Sequence, residues 1–234
     1  MKKIYIVFLV SLYLIVINGC KKAPTEVSTS DNNNYMSLHV GDVRQLYTPY
    51  SSMDTIYMLW KVTGKTFRSD DLEVYKSEWY TYNLNPQNSY YQYNFIRDGY
   101  YYGTQLDSTS TYPGNPYFEQ KLAEINPKEG DTLLQIVGLY DPDSTQKYIY
   151  AKYLGSFKTP AGIFNNVFCF VNYESSANHY REVSETFYTK QFGYLGITTV
   201  KDSLKNLLVV NYMDINGNKI GNYVDMSKRP GKRF

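Results

Sequence analysis

Cysteine, histidine and tryptophan are scarce in this chain, with two of each among 234 residues. That scarcity removes whole classes of chemistry. There is no CxxC, and neither His39 nor His179 stands in an HExxH or HxH spacing, so no zinc or other transition-metal site is expected. No GxSxG elbow marks a serine nucleophile, and the chain has no glycine-rich phosphate loop and no dinucleotide fingerprint. Asp214-x-Asn216-Gly217-Asn218 begins like a calcium loop but lacks the closing bidentate acid, so it reads as a hairpin turn. The sequence thus predicts no metal, no cofactor and no enzyme.

Net charge is missing too. The chain holds 24 Lys+Arg against 22 Asp+Glu, and Lys2 and Lys3 fall in a first segment without acids, so the remainder is balanced. A balanced chain has no field to draw in nucleic acid, and none is expected as a partner. The basic run Lys228 to Arg233 reads as part of a solvated tail over 225–234.

Long apolar runs are limited to one, Ile4 to Ile17, preceded by Lys2-Lys3 and closed by Ile17-Asn18-Gly19-Cys20. It is short for a bilayer span and reads as a secretory signal over 1–19, with a short N-terminal membrane anchor as the alternative. The four residues ending at Cys20 resemble the lipobox of bacterial lipoproteins, with Asn18 where that pattern usually has a small or mildly apolar residue. The resemblance implies that the signal is removed, that the Cys20 thiol is diacylated with palmitate-like chains, and that the new amino terminus usually takes a third chain. Each buried methylene contributes about 0.8 kcal/mol, so two or three chains make a lasting tether where one is marginal. The implied address is the Gram-negative envelope. Lys21-Lys22-Ala23-Pro24 has neither an inner-membrane retention aspartate nor an acidic surface-export run, which favours the outer membrane and its periplasmic face. With Cys20 used in this way, Cys169 is left alone in an apolar strand, a small buried hydrophobe, and no intramolecular disulfide forms.

Residues 20–36 are the lipidated cysteine and a polar tether, whose sixteen residues from Lys21 span about 20–24 Å as a flexible chain. From there to 224 the pattern is that of one β-rich domain, with two related halves split near 107–127 as the alternative. Thr55 to Phe67 reads as two strands broken at Gly64, and Leu72 to Tyr82 as a strand or a short helix. Asn88 to Gln105 is a hairpin around Asp98-Gly99, a type I′ signal, with Tyr91, Tyr93 and Phe95 on one face by the period of two. Phe118, Leu122 and Ile125 fall at helical spacing before Pro127, which predicts one short helix near 117–126. Further strands are expected at Thr132–Tyr140, Lys147–Phe157, Ile163–Tyr173, Glu185–Tyr194, Ile197–Val200 and Leu207–Met213. Gly41-Asp42 and Gly130-Asp131 each open a β block, an echo whose later turns differ in spacing.

The chain is organised around Tyr148–Tyr173, two β-rich arms joined by Thr159-Pro160-Ala161-Gly162, where Pro160 has no N–H and Gly162 tolerates positive φ. With Gly130-Asp131, Thr159 to Phe164, Val167 to Val171, and Phe192-Gly193-Tyr194-Leu195-Gly196, the second half resembles a recurrent element of uncharacterised bacterial envelope lipoproteins. The resemblance implies a mainly β fold, an antiparallel sheet curled into an incomplete barrel, similar in outline to periplasmic lipoprotein carriers. A β-sandwich is the alternative.

Tyrosine is the one excess, 27 residues, concentrated between Tyr75 and Tyr117. Aromatic side chains suit strands, which accounts for the enrichment by itself. The functional alternative is an exposed Tyr91/Tyr93/Tyr101 platform for a glycan. Three functions follow: a non-catalytic envelope binding or assembly module, a carrier whose apolar ligand sits against Phe164, Phe168 and Phe170, or a glycan-binding surface lipoprotein.

Overall fold

The computed structural model describes residues 38–48, 57–81, 89–108, 116–137, 145–176, 179–190, 192–201 and 204–225; Cys20, the tether and the basic tail beyond 225 lie outside them. The first half supplies β1 (Val43–Tyr47), β2 (Tyr57–Phe67), β3 (Glu73–Thr81), β4 (Ser89–Arg97), β5 (Tyr100–Thr104) and β6 (Gln120–Glu124). The second supplies β7 (Thr132–Val137), β8 (Thr145–Thr159), β9 (Gly162–Ser176), β10 (His179–Thr189), β11 (Gly193–Lys201), β12 (Leu204–Ile215) and β13 (Asn218–Gly221). All belong to one antiparallel sheet in the order β6-β5-β4-β3-β2-β1-β12-β11-β10-β9-β8-β7, with β13 added to β12. Chain neighbours pair with one another, and β1 pairs with β12, so the sheet curls into a nearly closed barrel. Its seam lies between β6 and β7.

The turns explain the meander. Asp98 and Gly99 both have positive φ (51° and 81°), as do Asn216 and Gly217 (50° and 81°), the requirement of a type I′ hairpin. Thr159 and Gly162 close the long β8–β9 hairpin as its last pair.

Three local expectations are corrected. The helix near 117–126 is a strand: Gln120–Glu124 pairs with β5, and a bulge opposite Tyr101/Tyr102 leaves Leu122 as the extra residue. A bulge re-aims side chains out of strict alternation. Leu122 and Ala123 therefore pack in the same cluster, and the helical spacing of Phe118, Leu122 and Ile125 is a by-product. Gly64 marks a bulge inside one continuous β2 and not a break. The stretch 185–194 is divided, because β10 ends at Thr189 and β11 starts at Gly193, whose φ is 67°.

The two Gly-Asp openings have the same hydrogen bonds. Asp42 Oδ2 accepts from the His39 N–H and Asp131 Oδ2 from the Lys128 N–H. Gly41 N–H donates to Val62 O while Val62 N–H donates to Asp42 O; Gly130 and Asp131 repeat this with Ala151. The interval from Gly41 to Val62 equals that from Gly130 to Ala151. In this repeat β7 corresponds to β1, so the counterpart of the sealed β1–β12 junction is β7 against β6. That junction stays open. Across it Glu124 and Asp131 interact, and burial first and Asp131 second push the Glu124 carboxyl above its ordinary range.

β9 is buried on both faces. Phe168 and Phe170 join Trp60, Tyr101, Ile149 and Tyr188 inside the barrel, while Val167, Cys169 and Val171 join Phe164, Phe187, Val210 and Met213 in a second cluster. The second cluster exists because β8 is bulged on either side of Gly155 (φ 74°), and the hairpin tip reaches β12, where Ala161 N–H donates to Val210 O. A third cluster (Val74, Phe95, Tyr102) lies outside the barrel wall. Arg68 sits there, its guanidinium paired with Asp70 and Glu119 at 2.6 and 2.7 Å and 4.0 Å from the Tyr117 ring.

Two outcomes follow from these contacts. A Cβ on Gly196 would lie 2.5 Å from Leu208 O and 2.9 Å from Val209 Cα, both backbone atoms of β12. Gly196→Ala should therefore lower stability by about 3 kcal/mol, measured by denaturant unfolding. Glu124 has a raised folded-state pKa, so its cost to folding is absent below the unfolded value of 4.5 and appears as pH rises through the folded one. Glu124→Gln should raise Tm at pH 8 and leave it unchanged near pH 4; equal shifts at both would show that charge is not the cause.

Candidate functional site

The barrel interior is not filled. A cavity of about 440 Å³ lies within it, a volume in the range of small-molecule pockets. Period-two alternation aims residues from nearly every strand at it: Met58 and Trp60 from β2, Tyr90 and Gln92 from β4, Ser184, Thr186 and Tyr188 from β10. Trp79, Tyr101, Leu122, Asn172, Tyr194, Ile197 and Leu208 complete the walls from the remaining strands, with Leu38 and Arg44 at the β1 side.

One wall is an aromatic ladder built by register. Trp60 is the direct partner of Trp79 on β3, and Trp79 is the direct partner of Tyr90 on β4. Trp60 meets Trp79 edge-on at 6.3 Å, and Trp79 stacks on Tyr90 at 5.9 Å with the planes 6° apart. Trp79 Nε1–H donates to Gln92 Oε1 at 2.9 Å, which fixes the indole. Both tryptophans of the chain therefore face this cavity. Opposite, Tyr188 packs edge-on against Tyr194 at 5.6 Å and against Phe170 at 5.5 Å. Burial raises the phenol pKa of Tyr101, Tyr188 and Tyr194, so these hydroxyls stay neutral and can both donate and accept.

Arg44 is the one ionised side chain among the described lining residues, and it is 1% exposed. Its guanidinium lies 4.4 Å from the centre of the Trp60 ring. Nε–H donates to Tyr194 O at 3.1 Å and Nη2–H to Phe192 O at 2.5 Å, but Nη1 has no partner. Burial pushes its pKa down, and Asp42 is the largest influence the other way. The Asp42 oxygens are already engaged by the backbone N–H groups of His39 and Asn216.

The residues singled out by sequence fall elsewhere. Tyr91 is 51% exposed on the outer face, with Lys76 Nζ 4.0 Å from its ring, and Tyr93 is half-buried beside the third cluster. Tyr101, expected on the same exposed platform, is 9% exposed and points into the barrel, because it pairs with Ile96 and not with a residue of the Tyr91 face. The platform is therefore divided between two faces of the sheet. Phe164 is in the second cluster and Phe168 and Phe170 pack within the barrel core, so none of the three lines the cavity. Cys169 is buried in the second cluster, and among the described residues no group of three His, Cys, Asp or Glu is placed to hold a metal. Arg44, Trp60, Tyr188 and Tyr194 were not marked by sequence. The readable signal was Arg44 itself, a charge inside the five-residue strand Val43–Tyr47.

No protein-family model matches the chain, and no curated protein matches it. Among solved structures, a Bacteroides fragilis protein described as exported and having a YmcC-like fold superposes with a TM-score of 0.38 and 11% identity, over 75% of this chain and 96% of its own.

Proposed function

We propose that this chain is a non-catalytic, lipid-anchored binding protein of the bacterial envelope, and that its binding element is the barrel lumen. The cavity of about 440 Å³ walled by Trp60, Trp79, Tyr90, Tyr101, Tyr188 and Tyr194 carries this reading. Those walls suit a ring-bearing or apolar body, and the few polar groups among them suit orientation. The described lining holds no carboxylate, cysteine or histidine, hence no nucleophile–base pair. The envelope address rests on the N-terminal residues, with the lipid on Cys20 and the outer membrane as its site.

A second reading, a module that takes up a strand of an envelope partner, is favoured by one feature: among the described residues β6 and β7 end the strand order and do not pair with each other.

The described sheet and its clusters lie within 38–225, so a form beginning at Lys21 carries the whole fold and is soluble if the lipid is the anchor. Uptake of N-phenyl-1-naphthylamine by that form, followed by fluorescence, should saturate. Thr186→Trp, which places an indole in the cavity, should weaken uptake at least tenfold. Saturable uptake that this variant leaves unchanged would place the probe outside the lumen and sink the reading. In the full chain, Cys20→Ala should abolish labelled-palmitate incorporation and move the protein from the membrane to the soluble fraction; retention of label would refute lipidation at Cys20.

A further inference from the structure

We infer that the lumen selects a small organic carboxylate with a ring or apolar body, and that Arg44 is the residue that binds its charge. The inference rests on the lumen being the binding site.

Among the described residues two arginines are nearly fully buried, Arg44 and Arg68, at 1% and 3% exposure. They are treated differently. Arg68 has two carboxylates, Asp70 and Glu119, and a hydroxyl acceptor, Thr104 Oγ1 at 3.0 Å. Arg44 has two backbone carbonyls and an aromatic ring, and the nearby charge that favours its cation is Asp42, whose oxygens bond the His39 and Asn216 N–H groups and not the guanidinium. Taking a cation out of water is costly, and a position over an aromatic ring returns only part of that cost. The Nη1 end of the fork is buried and has no hydrogen-bond partner. An arrangement that pays for burying a charge and then leaves one end of it unbonded is pre-organised for an anion.

The charge count narrows the class. No second cation stands among the described lining residues, so a single negative charge is matched and a phosphate dianion is not. The neighbours supply the rest. Trp60 and Trp79 offer flat faces, and Tyr101, Tyr188 and Tyr194 offer neutral hydroxyls whose pKa values are raised chiefly by burial. A carboxylate on Nη1 with its ring against Trp60 satisfies both.

The test uses the form beginning at Lys21, with N-phenyl-1-naphthylamine as lumen reporter and two isosteric competitors, 2-naphthoate and its neutral amide 2-naphthamide. In the unaltered protein, naphthoate should displace the reporter at a concentration at least tenfold lower than naphthamide. Arg44→Met should bring the two within twofold of each other while reporter uptake persists. Equal potency in the unaltered protein, with reporter uptake that is saturable and sensitive to Thr186→Trp, overturns the inference and leaves the lumen reading standing. Uptake insensitive to Thr186→Trp overturns both. If Arg44→Met loses its cooperative melt, the naphthoate-to-naphthamide ratio of the unaltered protein decides alone.

Discussion

The pairing of β1 with β12 is the constraint on which the rest of this molecule depends. It joins the strands β1 to β6 to the strands β7 to β13, and without it there would be two separate sheets, because β6 and β7 do not pair. The β1–β12 register shifts at Gln45/Leu46, and on the other side of β12 Gly196 of β11 lets the Val209 backbone approach closer than any side chain would allow. That closure brings Arg44 to the carbonyls of Phe192 and Tyr194, residues from the far end of the chain. The buried cation is thus a consequence of the ring being closed at that side.

The opposite side of the ring is governed by the same hydrogen-bond logic with another outcome. The Gly-Asp openings of the two halves repeat bond for bond, yet β7 does not pair with β6 as β1 does with β12. Two carboxyl groups, Glu124 and Asp131, meet there. A barrel sealed on one side and open on the other keeps a wall rigid enough to hold an aromatic ladder in register, while part of its interior stays unfilled. The β8–β9 hairpin adds stiffness, because its tip reaches β12 and gives the wall a second core.

The two buried arginines show how burial and function separate. Arg68 is a structural node: its two carboxylates and the rings of Tyr117 and Phe95 hold the segment before β6 against the outer wall. That attachment also explains why 117–126 is not a helix. Glu119 pairs with both Arg68 and Arg97, and Phe118 has a φ of 49°, neither compatible with a helix through this stretch. Arg44 has no ion pair of that kind among the described residues; the carbonyls of Phe192 and Tyr194 and the Trp60 ring hold its guanidinium.

Local chemistry was legible in the sequence wherever a residue has only one way to satisfy its backbone. Asp98-Gly99 and Asn216-Gly217 announced their hairpins, Thr159 to Gly162 its turn, and the two-sided apolar pattern of Val167 to Val171 its double burial. By itself the sequence determined an antiparallel β fold and the N-terminal pattern that resembles a lipidation signal. What only the tertiary structure decided is which face of each strand became the inside. The β4–β5 register, which pairs Tyr101 with Ile96, put Tyr101 in and left Tyr91 out. Arg44, Trp60, Trp79, Tyr188 and Tyr194 converge only because strands distant in sequence close one ring, and cross-strand proximity leaves no trace in the spacing of residues along any single strand.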